Sequence, residues 1–252
     1  MPIIGTGVSL GEGLSVGENN VDLTPLSILG PTMLRAWFRA DLGVTEISNA
    51  VSVWADQSGN GNDVGQTTAD DRPTVAATAG PGSTPTIQFD RANGQHLAGT
   101  GLTLTLSGDN LNTWILIRSN ISSGQYFSQV RSVVPANVHV FRIRSNTDFH
   151  SQYLSPATST ITNVPELTGF HLHEIAWDGT THEVFMDNAS IASGELSGTQ
   201  AATTQIYLAG TESGASTLDG DISEVFYTNG EPTAGQKTRL IAYINTRYGL
   251  SL

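Results

Sequence analysis

The chain has no cysteine and a single lysine, Lys237, among its 252 residues. Without thiols neither a disulfide framework nor a thiolate metal site can form, and the redox compartment is left open. Charged residues make up only 13% of the chain and are one-sided, 23 acidic against 11 basic, for a formal charge of −12. Such an acidic surface repels phosphate backbones and anionic headgroups, so neither nucleic acid nor membrane is expected as a direct partner; divalent cations or neutral glycans suit it better. No run approaches the roughly 20 apolar residues of a membrane-spanning helix. The opening M-P-I-I-G-T-G-V-S-L-G-E-G lacks the positive region and continuous apolar core of a secretory signal, so assembly in the cytoplasm is expected. There is no G-x-S-x-G elbow and no glycine loop placed to cradle a phosphate ahead of a helix.

What the chain does have is Gly, Ser, Thr and Asn between short stretches of period-two apolar residues. That pattern predicts one β-sandwich domain over residues 33–252 and an extended Gly/Ser-rich arm over 1–32. A terminal segment of this composition orders only when something holds it, so the arm is expected to dock on a neighbouring subunit in a homo-oligomer or larger assembly.

Leu34 to Ala40 alternates Leu34, Ala36 and Phe38 against Arg35, Trp37 and Arg39, the period of a strand with one buried side. Val51, Val53 and Trp54 lead a second strand into the polar loop D-Q-S-G-N-G-N-D. After a turn-rich region, Gln66 to Thr84, further strands are predicted at Thr86–Phe89, Leu102–Leu106, Thr113–Arg118, Tyr126–Val130 and Val138–Arg144. Phe170 to Trp177 and His182 to Met186 form a hairpin across Asp178-Gly179-Thr180-Thr181, and Asp187-Asn188 turns the chain again. The chain closes on a helix over 233–248, with capping-box spacing at Thr233 and Gln236, an apolar stripe of Leu240, Ile241, Ile244 and Tyr248, and a C-terminal cap at Gly249.

Four of these passages carry a resemblance: L-R-A-W-F-R-A, W-A-D-Q-S-G-N-G-N, F-H-L-H-E-I-A-W-D-G-T-T-H-E-V-F-M-D-N and L-D-G-D-I-S-E-V-F-Y. In this order they resemble laminin-G-like, concanavalin A-like jelly-roll domains of the kind found in phage virion proteins. The resemblance implies an all-β jelly-roll sandwich followed by a C-terminal helix. It leaves function open, since one fold hosts many.

Several residues are candidates for chemistry. Asp56, Ser58, Asn60 and Gly61 fall at the first, third, fifth and sixth places of an EF-hand-like calcium pattern. Thr67 stands where the bidentate Glu belongs, so a calcium ion held by Asp56, Ser58, Asn60 and Asp63 would need Asp70 or Asp71 as well; the plainer account is a self-hydrogen-bonded turn capped by Asp56. Asp219, Asp221 and Glu224 resemble the E-x-D-x-x-E strand of laminarinases, but an Asp in the nucleophile's place is short by a methylene, and a structural strand with exposed carboxylates is preferred. His171, His173 and His182 on the two hairpin strands could hold zinc or copper, though sheet histidines are the simpler reading. Trp37, Trp54, Tyr126 and Tyr153 are the aromatics put forward for stacking on sugar faces.

The expectation is therefore a non-enzymatic virion structural protein, a capsid decoration or tail accessory subunit displaying a lectin-like module for particle stability or host attachment. The alternatives are a free carbohydrate-binding or adhesion module, and a glycoside hydrolase or polysaccharide lyase.

Overall fold

The structure, a computed structural model, describes residues 23–104, 111–120, 124–131, 138–145, 148–153, 158–162, 167–177, 181–195, 203–211, 214 and 216–252. Among the described residues a short helix α1 (Pro25–Met33) precedes seventeen strands: β1 (Leu34–Arg39), β2 (Val44–Ile47), β3 (Ala50–Trp54), β4 (Val64–Gly65), β5 (Thr74–Ala76), β6 (Thr86–Phe89), β7 (Leu97–Leu104), β8 (Leu111–Ser119) and β9 (Gln125–Arg131), then β10 (Val138–Ser145), β11 (Asp148–Tyr153), β12 (Thr158–Thr162), β13 (His171–Trp177), β14 (Thr181–Met186), β15 (Ala189–Glu195), β16 (Thr203–Leu208) and β17 (Gly220–Asn229). Helix α2 (Ala234–Tyr248) closes the fold.

The strands make two antiparallel sheets, the layers of a β-sandwich. One runs β15-β14-β13-β8-β17-β6-β5 with β1 beside the second half of β17; the other runs β12-β11-β10-β9-β16-β7-β4-β3-β2. The all-β sandwich with a C-terminal helix is thus present as expected. Its inner layer is the apolar cluster between the sheets, with Phe38, Trp54, Phe89, Phe127, Trp177 and Tyr227 among its members. The Tyr227 hydroxyl and Ser128 Oγ meet at 2.6 Å, so the polar tip of the buried ring is satisfied within the core.

A second apolar cluster lies on the outer face of the eight-stranded sheet, beneath the helices. It joins Ile28 and Leu29 of α1 and Leu240, Ile241, Ile244 and Tyr248 of α2 to Trp37, Trp114, Leu116 and Phe226 of the sheet. Trp114 and Phe226 stack with ring centroids 5.4 Å apart. Because this sheet is covered on both faces, β17 is buried over nine consecutive residues and β1 buries Trp37 between the buried Ala36 and Phe38. The expectation that β1 has one buried side is therefore corrected: Trp37, on its second face, is covered by helices that its own two-residue period does not reveal.

Helix α2 starts with the Thr233–Gln236 capping box and ends at Gly249 in the left-handed conformation, as its sequence predicts. Within the segment read as an extended arm, Pro25–Met33 is instead helical. Thr24 caps it reciprocally with Ser27, Pro25 takes the first turn, and the kink falls at Gly30 (φ 75) before Pro31. Ile28 and Leu29 anchor it on the second cluster. Residues 1–22 of the predicted arm, and the Asp178-Gly179-Thr180 turn, lie outside the described residues.

Candidate functional site

The polar loop after β3 is a staple rather than a ligand cradle. The Asp56 carboxylate accepts four hydrogen bonds: from the amides of Trp37 (2.9 Å) and Ser58 (2.8 Å) at Oδ1, and from Ser58 Oγ (2.8 Å) and the Asn62 amide (3.0 Å) at Oδ2. Asp63 accepts from the Asp56 amide at 2.8 Å, while Asn60 and Asn62 donate their side-chain amides to the carbonyls of Leu34 and Arg35. Asp56 spends its lone pairs on the protein, so the plainer expectation, a self-hydrogen-bonded turn capped by Asp56, is the one present in place of a calcium set of Asp56, Ser58, Asn60 and Asp63, and the turn is fastened to β1.

The acidic strand is also reassigned. Asp221 is 0% exposed and Glu224 1%, so neither is the exposed carboxylate expected of a plain strand. Glu224 points under α2, where it accepts from Trp37 Nε1 (2.5 Å), Tyr243 (2.8 and 3.0 Å) and Tyr248 (2.7 Å). Burial pushes its carboxyl upward. Burial likewise raises Glu174 to about 7, against the Lys237 ammonium 2.8 Å away. Glu224 is bound by Tyr243 and Tyr248 of the terminal helix, and Glu174 by Lys237 of the same helix. Asp221 pairs with Arg118 at 2.6 Å and accepts from Thr86 Oγ1 at 2.9 Å.

His171 and His173 meet edge to face with ring centroids 6.4 Å apart, but His182 does not join them. His173 and His182 face the core, where burial lowers them to about 3 and about 4. In register His173 lies opposite Met186 and His182 opposite Trp177, while His171 turns to Asp187 at 2.6 Å. Among the described residues no group of three or more His, Cys, Asp or Glu side chains is arranged to hold a metal ion.

Of the proposed stacking aromatics, Trp54 is 0% and Trp37 4% exposed. Both are core residues whose indole N–H groups are used internally, Trp54 on the Arg39 carbonyl at 3.0 Å, so neither can meet a sugar. Tyr153 ends β11 opposite His139 in the nine-stranded sheet; its side chain lies outside the described residues. Tyr126 remains. It is partly exposed at the start of β9, with its amide held by the Ser216 carbonyl at 2.9 Å.

Tyr126 stands at one end of the sandwich, where the loops 66–73 and 90–96, residues Asn120 and Gly124, and the described residues of 209–219 are fastened to one another. The buried His96 ring links three of them: Nε2 meets Gln66 Nε2 at 3.2 Å, Nδ1 meets the Gly94 carbonyl at 2.9 Å, and the ring lies so close to Gly210 and Gly214 that a side chain at either would press on it. Asp90 caps the turn D-R-A-N-G by accepting from the Ala92 amide and Asn93 Nδ2, both at 2.8 Å, and Gly94 closes it at φ 66. The Arg91 guanidinium packs over Gly124. Asn120 donates to Asp219 Oδ1 at 2.9 Å, and Gln125 accepts from the Asp219 amide at 2.8 Å. The rim therefore presents carboxylate, amide and guanidinium groups on rigid loops beside a partly exposed phenol. Such a set hydrogen-bonds hydroxyls and covers a C–H face. Reading the sequence for catalytic spacing passed over this set; the D-R-A-N-G turn, an Asp followed by a left-handed Gly between two strands, was its visible signal.

The chain matches no protein-family model and no curated protein. Among solved structures it is similar to a GH54 α-L-arabinofuranosidase soaked with a cyclic sulfate inhibitor (TM-score 0.64, 12% identity, 89% of this chain and 65% of that one). It is also similar to domain 4 of an extracellular GH43 arabinanase from Geobacillus stearothermophilus in complex with arabinotriose (TM-score 0.58, 14% identity, 82% and 98%). A third is Trypanosoma rangeli sialidase in complex with the inhibitor DANA (TM-score 0.54, 11% identity, 82% and 32%). These likenesses show the fold. Against the GH54 enzymes the chain spans between about half and two thirds of their length. They also overturn the expectation of a non-enzyme, since the architecture makes up a large part of enzymes that act on glycosides. The β-sandwich part of the jelly-roll resemblance stands; none of the three structures is a phage protein of laminin-G-like type.

Proposed function

We propose that the chain is a carbohydrate-recognition domain of a glycoside-processing protein, and that it binds neutral glycans at the loop end through Tyr126 and the rim formed by Asp90, Arg91, Asn93, Asn120 and Asp219. The observation that carries this reading is the rim itself: polar groups from three loops, two of them tied through His96 and the third by the Asn120–Asp219 hydrogen bond, at the same end of the sandwich as the partly exposed Tyr126. Preorganised groups bind without the cost of ordering.

Two further observations support it. The similarity to the arabinanase domain takes in 98% of a single domain that is bound to arabinotriose. The net charge of −12 favours a neutral saccharide over an anionic one such as a sialoside. Arabinosyl oligosaccharides are accordingly the first ligands to offer.

The test is a glycan panel containing arabinosyl, xylosyl and sialyl oligosaccharides, read for binding and, in the same wells, for release of reducing sugar. Retention of neutral pentose oligosaccharides supports the reading. Retention of sialosides alone, or of nothing in the panel, contradicts it. Sugar release would add a catalytic step to the same site.

A further inference from the structure

Arg118 stands on the outer face of the eight-stranded sheet, two residues before Asn120 of the rim and paired in register with Asp221. Ile115 and Ile117 of β8 point into the inter-sheet core, whereas Trp114 and Leu116 point to the helix-covered face, and Arg118 continues that second set.

Its position is fixed from two sides. Nε and Nη2 both donate to Asp221 Oδ2, at 3.1 and 2.6 Å. Asp221 is 0% exposed and is held in turn by Thr86, also 0% exposed, whose Oγ1 donates to Oδ1 at 2.9 Å. From below, the Phe170 ring supports the guanidinium with its centroid 5.1 Å from Cζ. An arginine has five N–H donors. Two are spent on Asp221, and the remaining three, on Nη1 and Nη2, lie on a side chain that is still 29% exposed.

We propose that Arg118 is a second saccharide-contact point, which takes a pair of neighbouring hydroxyl oxygens of a neutral sugar on its Nη1–Nη2 edge, with Phe170 and Asp221 as positioning residues. This rests on the glycan reading above. The edge has the fork geometry that also suits a carboxylate. The charge does not suit one, because Asp221 already neutralises Arg118 and the surrounding protein is acidic. A neutral diol needs only the donors. The fixed guanidinium loses little freedom on binding, which distinguishes it from an ordinary surface arginine.

The experiment is an NMR titration of the full chain with arabinotriose, following the Arg118 Nε–H resonance and the amides around Tyr126, in the wild type, Arg118→Lys and Phe170→Ala. Lysine keeps the charge opposite Asp221 and removes the fork, so the fold is retained. Saturable shifts at both places are expected in the wild type. In Arg118→Lys the apparent affinity should fall about three- to tenfold while the Tyr126 shifts persist. In Phe170→Ala the Arg118 side chain should become more mobile by heteronuclear NOE, with a smaller shift on titration. Shifts confined to the Tyr126 rim would overturn the second contact point and leave the first in place. No shift anywhere would overturn both.

Discussion

The indole N–H of Trp37 donates to the carboxylate of Glu224 at 2.5 Å, a buried bond between residues 187 positions apart. Tyr243 and Tyr248 of α2 donate to the same carboxylate, so one acid ties the first strand, the last strand and the terminal helix together. A Glu that reads in sequence as half of a catalytic pair is the point on which the helical layer is fixed. Glu224→Leu would leave three buried donors without an acceptor and should lower stability by about 3–5 kcal/mol, whereas Glu224→Gln keeps an acceptor and should cost about 1–2 kcal/mol. Equilibrium unfolding in denaturant measures both. Equal losses in the two variants would contradict the assignment.

Asp56 does the same for the loop after β3. Removing its four hydrogen bonds in Asp56→Ala should lower the unfolding free energy by about 2–4 kcal/mol. Calcium or chelator should leave the melting temperature of the wild type unchanged. A calcium-dependent rise would restore the metal reading that the geometry displaces.

The pH dependence of stability should have two opposed arms. His173 and His182 are buried neutral, lowered to about 3 and about 4 against an ordinary value of 6.5. Their contribution is complete above 6.5 and is lost as pH falls below it, because the unfolded chain takes up protons that the folded core refuses. Glu174 acts in the opposite sense. Raised by burial from 4.5 to about 7, it contributes stability below 4.5 that is lost as pH rises through about 7. Thermal unfolding across this range should therefore show Glu174→Gln losing the neutral-side decline while keeping the acid one. A variant that alters only the acid side would refute the assignment.

Gly220 opens β17 so close to β8 that a methyl group placed there would lie 2.1 Å from the Arg118 carbonyl oxygen. Gly220→Ala should therefore displace backbone, distort the Arg118–Asp221 pair and lower stability by about 2 kcal/mol or more. Circular dichroism melting checks it; a neutral substitution would contradict the close approach.

Much of the fold is legible because strand and helix signals are local. The β13–β14 pairing, the Asp187-Asn188 turn with both residues at positive φ, and the Thr233–Gln236 cap follow from periods and caps read directly from the chain. Burial is less legible. Alternation assigns Trp37 and Glu224 to a face of their strands but says nothing about what lies over that face, and here it is α2. Helix α1 is hidden for another reason: a Gly-Pro pair in the middle of nine residues reads as a linker, and only packing against the second cluster makes it a helix. The site is the least legible part. Asp90, Arg91 and His96 share one loop, but Asn120, Tyr126 and Asp219 come from other parts of the chain, and the set assembles only when the two sheets close.

Isothermal titration of arabinotriose into the wild type and into Tyr126→Ala tests the central claim most directly. The account predicts saturable binding to the wild type and a loss of at least about tenfold in affinity in Tyr126→Ala, with the fold intact by circular dichroism. Wild-type binding that Tyr126→Ala leaves unchanged, or no binding by the wild type at all, would contradict it.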